Sequence, residues 1–444
     1  MPQTVALHTL GCKLNFSETS TIGNEFLKNG FSIVDIKDKA DVYVFNTCTV
    51  TENAEKECRQ LVRRALRTNP NAYVIVTGCY AQLRPEEISL IDGVDAVLGS
   101  NEKFEIFSLL KDFNKKGPSC IHVSQNDDLN YFGQASSTDA DSRTRAYFKI
   151  QDGCDYKCTF CTIPLARGKS RSMQPDFVVE KFTKLIKQGY KEVILTGVNV
   201  GDYGKNLDTN LYYLLKRLID VKGDFRIRIS SIEPNLLTDE IIKLASTSDK
   251  ICKHFHIPLQ SGSNTILKSM QRRYNAEHYK DVVLKLKKNI PDAGIGVDVI
   301  VGYPGETANE FMETYNFIND LPISYLHVFT YSERPDTKAI TLDEPVNHSD
   351  RKRRNNMLRI LSDKKRNKFY NEMIGKQLEV LFETEAENGM IKGFTSNYVR
   401  VQHSFDKNLI NQISTVEIKG IGNQITYGEI KEIKNSVALE VTPL

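Results

Sequence analysis

Apolar and polar residues alternate along the first quarter of the chain in a way that predicts a small parallel α/β sheet. Buried strands are predicted at Thr4–Leu10, Asp41–Asn46 and Ala72–Thr77, and helices at Ser17–Asn29 and Glu52–Thr68. The second helix should end before Pro70, because the residue preceding a proline is disfavoured in a helix. These elements predict a first domain over residues 1–115. A polar linker at 113–144, with an edge strand at Ser119–Val123, should follow it.

A second alternation of strands and helices runs from Arg145 to about residue 331. Its strand candidates are Ala146–Gln151, Glu192–Val198, Phe225–Ile232, Phe255–Leu259, Gly296–Val301 and Tyr325–Tyr331. Helical patterns such as Phe177–Gln188 and His278–Lys288 separate them. Six such repeats favour a partial parallel barrel in a second domain at 140–370. The active site of such a barrel should lie at the carboxyl ends of the strands.

The last part of the chain has the pattern of a small all-β domain. Residues 350–372 form a basic helical connector, and after Met373 short alternating runs such as Leu378-x-Val380-x-Phe382 are separated by glycines. This pattern predicts a β-barrel at 373–437. The predicted fold class is therefore α/β, with a parallel α/β domain, a partial barrel and a C-terminal β-barrel.

The amino-acid composition is typical of a soluble protein with several domains. Of the 444 residues, 40% are hydrophobic and 26% are charged, and the formal net charge of +3 is too small to identify a partner. The sequence shows neither a secretory signal nor an apolar run long enough to span a membrane, which predicts a cytoplasmic protein with no membrane partner. Nine cysteines, an odd number, then indicate thiolates in a reducing compartment rather than disulfides.

Three of these cysteines share one loop directly after the predicted strand YFKIQ. They are Cys154, Cys158 and Cys161, in the spacing CxxxCxxC. Soft thiolates select zinc, copper(I) or iron–sulfur clusters. A structural zinc site needs four ligands, but no histidine occurs between residues 122 and 254, and the next cysteine is Cys252. Three ligands suit a cubane cluster with one open iron, to which S-adenosylmethionine (SAM) could be chelated.

A second set, Cys12, Cys48 and Cys79, is spread along the first domain but shares one local context. Each cysteine follows an apolar strand, in VALHTLGC, DVYVFNTC and AYVIVTGC. In a parallel sheet all three reach the same carboxyl edge, where the sites of α/β folds gather. This predicts a second three-thiolate cluster, with buried core cysteines as the alternative. The remaining cysteines are a predicted core thiol, Cys58, and two that we leave unassigned, Cys120 and Cys252.

The CxxxCxxC loop at the end of the first barrel strand resembles that of the radical SAM superfamily. The resemblance implies that SAM is bound at the ends of later strands by Gly197, Asn199, Ser231, Glu233, Gln260 and Val299. With its two cysteine triads, the chain resembles the methylthiotransferase family over essentially its whole length. That family ends in a small RNA-binding β-domain called TRAM, which the segment GFTSNYVRV at Gly393–Val401 resembles.

Membership of this family would imply two [4Fe-4S] clusters and SAM as cofactors. The auxiliary cluster on Cys12, Cys48 and Cys79 would carry the sulfur. The other cluster would generate the radical that takes hydrogen from the target carbon, so that no side chain acts as the catalytic acid or base. The partners implied are tRNA, a reduced electron donor of the flavodoxin or ferredoxin type, and a sulfur donor.

Three substrate groups are open within that family: threonylcarbamoyladenosine tRNA, isopentenyladenosine tRNA and an aspartate of a ribosomal protein. The segments Gly11–Asn15 (GCKLN), Thr47–Thr51 (TCTVT) and Leu195–Val198 (LTGV) are similar to the first group, whereas the isopentenyl group typically has GCQMN and TCSIR. The ribosomal-protein group typically has a proline after the first cysteine. The resemblance therefore implies methylthiolation at C2 of the threonylcarbamoyladenosine next to the anticodon. One departure is Arg334–Thr337 (RPDT), because the family usually has glycine before that threonine.

RNA contacts are predicted on the basic connector, where residues 351–368 contain nine lysines or arginines and one aspartate. Such density favours phosphates, although a solvated helix face is the alternative. The predicted contacts are Arg351, Lys352, Arg353 and Arg354, with Asn397 and Tyr398 of the TRAM-like segment. Further candidates near the site loops are Arg63, Arg64, Arg67, Arg167, Lys169, Arg171, Arg272 and Arg273, the last two of which could equally pair with acidic groups on the barrel rim. A zinc-stabilised RNA-binding protein without catalytic activity is the remaining alternative.

Overall fold

The computed structural model describes residues 3–48, 52–115, 117–125, 129, 132–136 and 144–433, and within these ranges all side chains except those at 52–55 and 384–386. Residues 49–51 of the second cysteine motif, much of the predicted linker and the end of the predicted β-barrel at 434–437 lie outside the described residues.

The N-terminal part is one parallel sheet with helices on both faces. Its strands are β1 (Thr4–Thr9), β2 (Ser32–Val34), β3 (Val42–Thr47), β4 (Tyr73–Gly78), β5 (Ala96–Leu98) and β6 (Cys120–His122). Its helices are α1 (Lys13–Lys28), α2 (Glu52–Thr68), α3 (Cys79–Leu83), α4 (Pro85–Ser89) and α5 (Ile106–Leu109). The order is β2-β1-β3-β4-β5-β6, and every pairing is parallel. The central strands β3 and β4 are buried along their whole length, which explains their continuous apolar sequences. The predicted edge strand is confirmed as β6, so the sheet continues beyond residue 115.

The middle part is a six-stranded parallel arc with helices outside it. Its strands are β7 (Arg145–Lys149), β10 (Glu192–Thr196), β11 (Arg226–Ile229), β12 (His254–His256), β13 (Gly294–Val301) and β14 (Tyr325–Thr330), with a small hairpin of β8 (Gln151–Asp152) and β9 (Arg171–Ser172) above β7. The helices are α6 (Ile163–Arg167), α7 (Pro175–Lys187), α8 (Leu211–Ile219), α9 (Asp239–Thr247), α10 (Asn264–Ser269), α11 (Ala276–Asn289), α12 (Ala308–Asp320) and α13 (His348–Asn371).

Two three-stranded sheets make this arc, β11-β10-β7 and β12-β13-β14. Bridges from Ile227 to Ile251 and from Ser231 to His256 join β11 to β12. In the described part of the chain, β7 and β14 do not pair with each other, so the barrel has a lateral gap between these two strands. The prediction of a partial barrel is confirmed.

The C-terminal part is a closed antiparallel-rich barrel, as predicted. Its strands are β15 (Gln377–Glu387), β16 (Met390–Thr395), β17 (Arg400–Ser404), β18 (Ile413–Gly422) and β19 (Ile425–Ile433), closed in the order β15-β16-β17-β19-β18. Closure leaves no unpaired edge strand. The boundaries 1–115, 140–370 and 373–437 stay predictions. Within the described ranges no helix is both long and apolar enough to cross a bilayer.

The C-terminal barrel is attached to the amino ends of the middle strands, away from the cysteine loop. Arg228 donates to the backbone carbonyls of Thr395 and Ser396, both at 3.1 Å, while Glu192 accepts hydrogen bonds from Arg226 and Arg228. Beside these ion pairs the ring of Tyr398 stacks on His254, with centroids 4.4 Å apart. Because this end of the middle barrel is occupied, the opposite end and the lateral gap are left for substrate.

Candidate active site

The first cysteine triad lies in the loop between β8 and α6. Gly153, immediately before Cys154, has φ of +69°, and a Cβ there would lie 2.0 Å from the carbonyl oxygen of Lys169. Only glycine therefore allows the loop to pass this close to the backbone of Lys169. Burial raises the pKa of Cys154 and of Cys161 to about 12, with the neighbouring thiols adding to the shift. The three thiols of the loop thus lie close enough to interact electrostatically.

Arg272 connects this loop to the end of the third barrel strand. Its Nη1 donates to the Sγ of Cys158 at 3.0 Å, its Nη2 donates to the carboxylate of Glu233, and its Nε donates to the hydroxyl of Tyr274 at 3.1 Å. The buried Arg272 side chain thus donates a hydrogen bond to Cys158. It also pairs with Glu233 on the barrel rim, which was the alternative predicted for it. The prediction that Arg272 contacts RNA is wrong.

The residues predicted to bind SAM follow the strands that surround this loop. Gly197 and Asn199 follow β10, Ser231 and Glu233 follow β11, and Gln260 follows β12. The backbone amide of Asn199 donates to the Oε1 of Gln151 at 2.9 Å, and its Nδ2 donates to Asp202 at 3.1 Å. Its Oδ1 is buried and accepts no hydrogen bond from the described residues, so it is available to a bound amine. Binding of SAM by these residues remains a prediction.

The side chain of Val299 is fully buried in the core between strands and helices, so a contact of this residue with SAM would have to be made by its backbone and stays a prediction. Alternation along β13 instead points Asp298 and Ile300 inward, where they line a cavity of about 230 Å³ together with Cys161, Gln260 and Tyr331. The cavity adjoins the cysteine loop through Phe160. It is the concave space in which a ligand at this loop would lie.

The second triad lies at the carboxyl ends of neighbouring strands, as predicted. Cys12 follows β1, Cys48 follows β3, and Cys79 follows β4. Cys48 and Cys79 are buried, whereas Cys12 is exposed. A Cβ on Gly11, whose φ is +107°, would lie 2.6 Å from the Cβ of Cys48, so glycine at this position lets the first cysteine approach the second. This convergence is not the arrangement of scattered core cysteines.

A buried ionic network lies behind the second triad and joins it to the middle barrel. Glu18 of α1 accepts hydrogen bonds from Lys103 at 2.6 Å, from Lys149 at 3.1 Å and from Arg167 at 2.9 Å. Arg167 also donates to Asp152 at 3.1 Å, and Lys149 pairs with that aspartate at 2.6 Å. Burial raises the pKa of Cys79, while Arg167 and Lys103 oppose the shift by favouring its thiolate. Arg167 is therefore a structural cation and not the RNA contact predicted for it.

The three other cysteines are placed apart from both triads. Cys58 is fully buried in the core under β3 and β4, which confirms its prediction. Cys252 is buried close to Glu192, and Cys120 lies in β6, where its sulfur approaches the hydroxyl of Tyr73 at 4.0 Å.

The structure corrects three of the predicted RNA contacts. Arg351 and Arg354 are 3% and 4% exposed, and they pair with Glu333 and Glu306. Asn397 is buried and donates to the carbonyl oxygen of Asp292 at 2.9 Å. These side chains cannot reach a phosphate.

Lys352 and Arg353 are exposed, in agreement with the prediction, and their contact with RNA remains a prediction. Tyr398 is half-buried and stacks on Phe394 as well as on His254, so its ring already has protein partners.

A cluster inside the barrel escaped the sequence analysis. The ligand atoms of His256, Asp298 and His327 lie within 4.8 Å of one another, and His256 Nε2 lies 2.8 Å from Asp298 Oδ1. The signal was present, because HFH ends in His256, and VDV and LHV each place one polar residue between two apolar ones, on three adjacent strands. Its partners could not be matched without the strand register.

The fold and this site define a radical SAM enzyme: a three-cysteine loop at the carboxyl end of the first strand of a partial parallel barrel. The family model of the Radical SAM superfamily matches residues 148–318, and that of the Uncharacterized protein family UPF0004 matches residues 4–99. More particularly, the chain belongs to the methylthiotransferase family of radical SAM enzymes, as the resemblance predicted. Membership implies SAM and [4Fe-4S] clusters as cofactors.

Similar proteins cover nearly the whole chain. Identity is 42% to the threonylcarbamoyladenosine tRNA methylthiotransferase MtaB of Bacillus subtilis, over 97% of this chain and 97% of that protein. It is 36% to the protein of the same name from Thermotoga maritima, over 95% and 96%. It is 33% to tRNA-2-methylthio-N(6)-dimethylallyladenosine synthase of Clostridium botulinum, over 93% of each chain.

A solved structure supports the fold. The radical S-adenosylmethionine methyltransferase TsrM from Kitasatospora setae, with cobalamin and a [4Fe-4S] cluster bound, aligns with a TM-score of 0.54 over 77% of each chain. Its sequence identity of 13% limits the likeness to the fold.

Proposed function

We propose that this protein inserts a methylthio group at C2 of N6-threonylcarbamoyladenosine next to the anticodon of tRNA. The observation that carries the proposal is the pair of cysteine triads, each at the carboxyl ends of parallel strands and joined through the ionic network around Glu18 and Arg167. Relatives that carry the threonylcarbamoyladenosine name are 36% to 42% identical to this chain, against 33% for the dimethylallyladenosine enzyme. This difference supports the threonylcarbamoyl substrate.

The two triads have the donor chemistry of iron–sulfur ligands. Thiolates hold [4Fe-4S] clusters, and three of them leave one iron open. Such clusters would supply the electron that cleaves SAM at Cys154, Cys158 and Cys161, and the sulfur to be transferred at Cys12, Cys48 and Cys79. Because burial raises the pKa of Cys79, Cys154 and Cys161, loading them should release protons.

The chain's own residues bind and orient the reactants. The buried Oδ1 of Asn199 can accept a hydrogen bond from the SAM amine, and the cavity beside Phe160 offers space for part of the cofactor next to the cysteine loop. Arg272 places a positive charge against Cys158 and holds Glu233 at the rim. These groups position the cofactor without acting as acid or base.

RNA would reach the site along a groove between β14, α13 and the C-terminal barrel. Two connected clefts, of about 820 and 550 Å³, share His327, Arg366 and Gln424. The cations that line these clefts are Arg359, Arg366, Lys392 and Arg400. We therefore propose that RNA contacts this groove and not the buried arginines of α13, because positive charge and aromatic rings favour a nucleic acid.

Two further partners follow from the stoichiometry of the reaction. Reductive cleavage of SAM consumes an electron, which a reduced flavodoxin- or ferredoxin-type protein would supply. Each product carries away one sulfur atom, so a sulfur donor must restore it. These requirements fit a protein of the cytoplasm, where reductants keep thiols free.

Nucleoside mass spectrometry of tRNA tests the proposal directly. In a strain without the gene, threonylcarbamoyladenosine should accumulate and its 2-methylthio form should disappear, and the intact gene should restore it. Unchanged methylthio-threonylcarbamoyladenosine in the deletion strain, with a methylthio group lost from isopentenyladenosine instead, would overturn the substrate assignment.

A further inference from the structure

Lys13 lies at the point where the auxiliary cysteine triad meets the lateral gap of the barrel. It follows Cys12 and is the first residue of α1. Helix α1 packs against β7 through Phe16 and Tyr147, whose ring centroids are 5.6 Å apart. Lys13 lies within electrostatic range of Tyr398, Arg228 and Arg145 at the amino end of the barrel and of His327 on β14, and desolvation at this place lowers its pKa. The amino group therefore faces the interior of the barrel beside its lateral gap.

The arginines around Lys13 each have a carboxylate partner, and in the described part of the chain Lys13 does not. Arg145 pairs with Glu383, and both Arg226 and Arg228 pair with Glu192. Among the residues that the structure describes, no carboxylate lies within salt-bridge distance of Lys13, and its side chain remains exposed. A cation with accessible donors and no acidic partner favours an incoming anion.

We propose that Lys13 recognises the carboxylate of the threonylcarbamoyl group of the substrate and so determines which modified adenosine is accepted. The inference rests on the proposed function. C2, N1 and N6 lie on the same edge of adenine, so a base whose C2 faces the triad of Cys12 also directs its N6 substituent to that side. Among the described residues, Lys13 is a cation without a carboxylate partner at this place, one residue from the triad. An uncharged N6 substituent would leave this ammonium without an acceptor.

A matched pair of RNAs tests this role. One is an anticodon stem-loop with threonylcarbamoyladenosine, and the other is identical except that a primary amide replaces the threonine carboxylate. Dissociation constants are measured by fluorescence anisotropy with the reconstituted full-length enzyme, and kcat/KM is measured by nucleoside mass spectrometry. The wild-type protein should prefer the carboxylate RNA by roughly ten- to a hundredfold, which is the usual effect of one charge-assisted hydrogen bond.

Lys13→Met should abolish this preference, and Lys13→Arg should restore most of it. Lys28→Met is the control, because Lys28 lies at the other end of α1, exposed and paired with Glu25; it should behave as the wild type. The ratio between the two RNAs does not depend on the fraction of enzyme that carries its clusters, so a partly loaded variant is still informative. A preference that survives in Lys13→Met would overturn the inference. Failure of the wild type to methylthiolate the carboxylate RNA would instead overturn the proposed function.

Discussion

Glu18 and Arg167 form a two-point ion pair although 149 residues separate them in the chain. Nη1 donates to Oε1 at 2.9 Å and Nη2 donates to Oε2 at 3.0 Å, with both side chains buried. Glu18 belongs to the helix that follows Cys12, and Arg167 ends the helix that follows Cys161. This pair therefore fixes the N-terminal sheet against the middle barrel and, with them, one cysteine triad against the other.

Substitution of Glu18 should destabilise the protein strongly, because this carboxylate balances three buried cations. Glu18→Gln would leave Lys103, Lys149 and Arg167 with only Asp152 as a buried anion, and uncompensated buried charge typically costs about 3–5 kcal/mol. The free energy of unfolding of Glu18→Gln, measured by urea denaturation, should therefore be lower than that of the wild type by about 3–5 kcal/mol.

Adding Lys103→Met to Glu18→Gln should recover part of the loss, because it removes one of the unneutralised cations. Arg217→Met is the control, since its pair with Asp176 is exposed and should contribute at most about 1 kcal/mol. If the double variant is less stable than Glu18→Gln, charge balance is not what this network provides.

Arg272 should influence the potential of the SAM-binding cluster. Arg272→Gln removes the positive donor 3.0 Å from the Sγ of Cys158, and hydrogen bonds to cluster sulfurs raise reduction potentials. Potentiometric titration followed by electron paramagnetic resonance should therefore show a shift to more negative potential, of the order of tens of millivolts.

Arg273→Gln provides the matched control for that measurement. Arg273 is the next residue and lies over the ring of Tyr156 at 3.9 Å, and the contacts described for it include no cysteine sulfur. Equal shifts in the two variants would show that the effect is not due to the hydrogen bond at Cys158.

The proposed groove predicts which basic residues bind tRNA. Neutralising Arg359 and Arg366 together should weaken tRNA binding and reduce the slope of its salt dependence by roughly two, because each removes one phosphate contact. Binding is measured by filter retention at several salt concentrations.

For the buried arginines of α13 we expect an effect on stability and none on tRNA binding. Arg354→Met should lower the free energy of unfolding by leaving Glu306 without its cation, and it should leave the salt slope of the folded protein unchanged. A salt slope that responds to Arg354 and not to Arg359 and Arg366 would restore the original sequence prediction.

Much of the site could be predicted because the cysteine motifs are local. Each of Cys12, Cys48 and Cys79 follows an apolar run, and a parallel sheet places the ends of such runs at one edge. The strands that were predicted accordingly lie within a few residues of the observed ones, whereas the short strands β2 and β5 were not predicted.

The features that could not be predicted depend on contacts between residues that lie far apart in the sequence. Helix α1 begins at Lys13 rather than at the predicted Ser17, because Asn15 in its first turn is buried and accepts a hydrogen bond from Arg167 of the barrel. Arg354 looked like a surface cation, but its partner Glu306 is 48 residues away. No periodicity identifies such a partner.

The departure at Asp336 has a local explanation. Asp336 adopts φ of +68°, the left-handed conformation that glycine takes without strain and that aspartate tolerates better than most residues. Its carboxylate accepts a hydrogen bond from Arg84 at 2.7 Å. The loop therefore keeps a glycine-like backbone.

We expect the two triads to hold two separate [4Fe-4S] clusters, and metal analysis of three proteins can establish this. After anaerobic reconstitution the wild type should contain about eight irons per chain, and Cys12→Ala/Cys48→Ala/Cys79→Ala and Cys154→Ala/Cys158→Ala/Cys161→Ala should each contain about four. The first variant should still cleave SAM without methylthiolating tRNA, and the second should not cleave it. Stoichiometric zinc without iron in the wild type, or an iron content that either set of substitutions leaves unchanged, would show that the triads do not hold two iron–sulfur clusters.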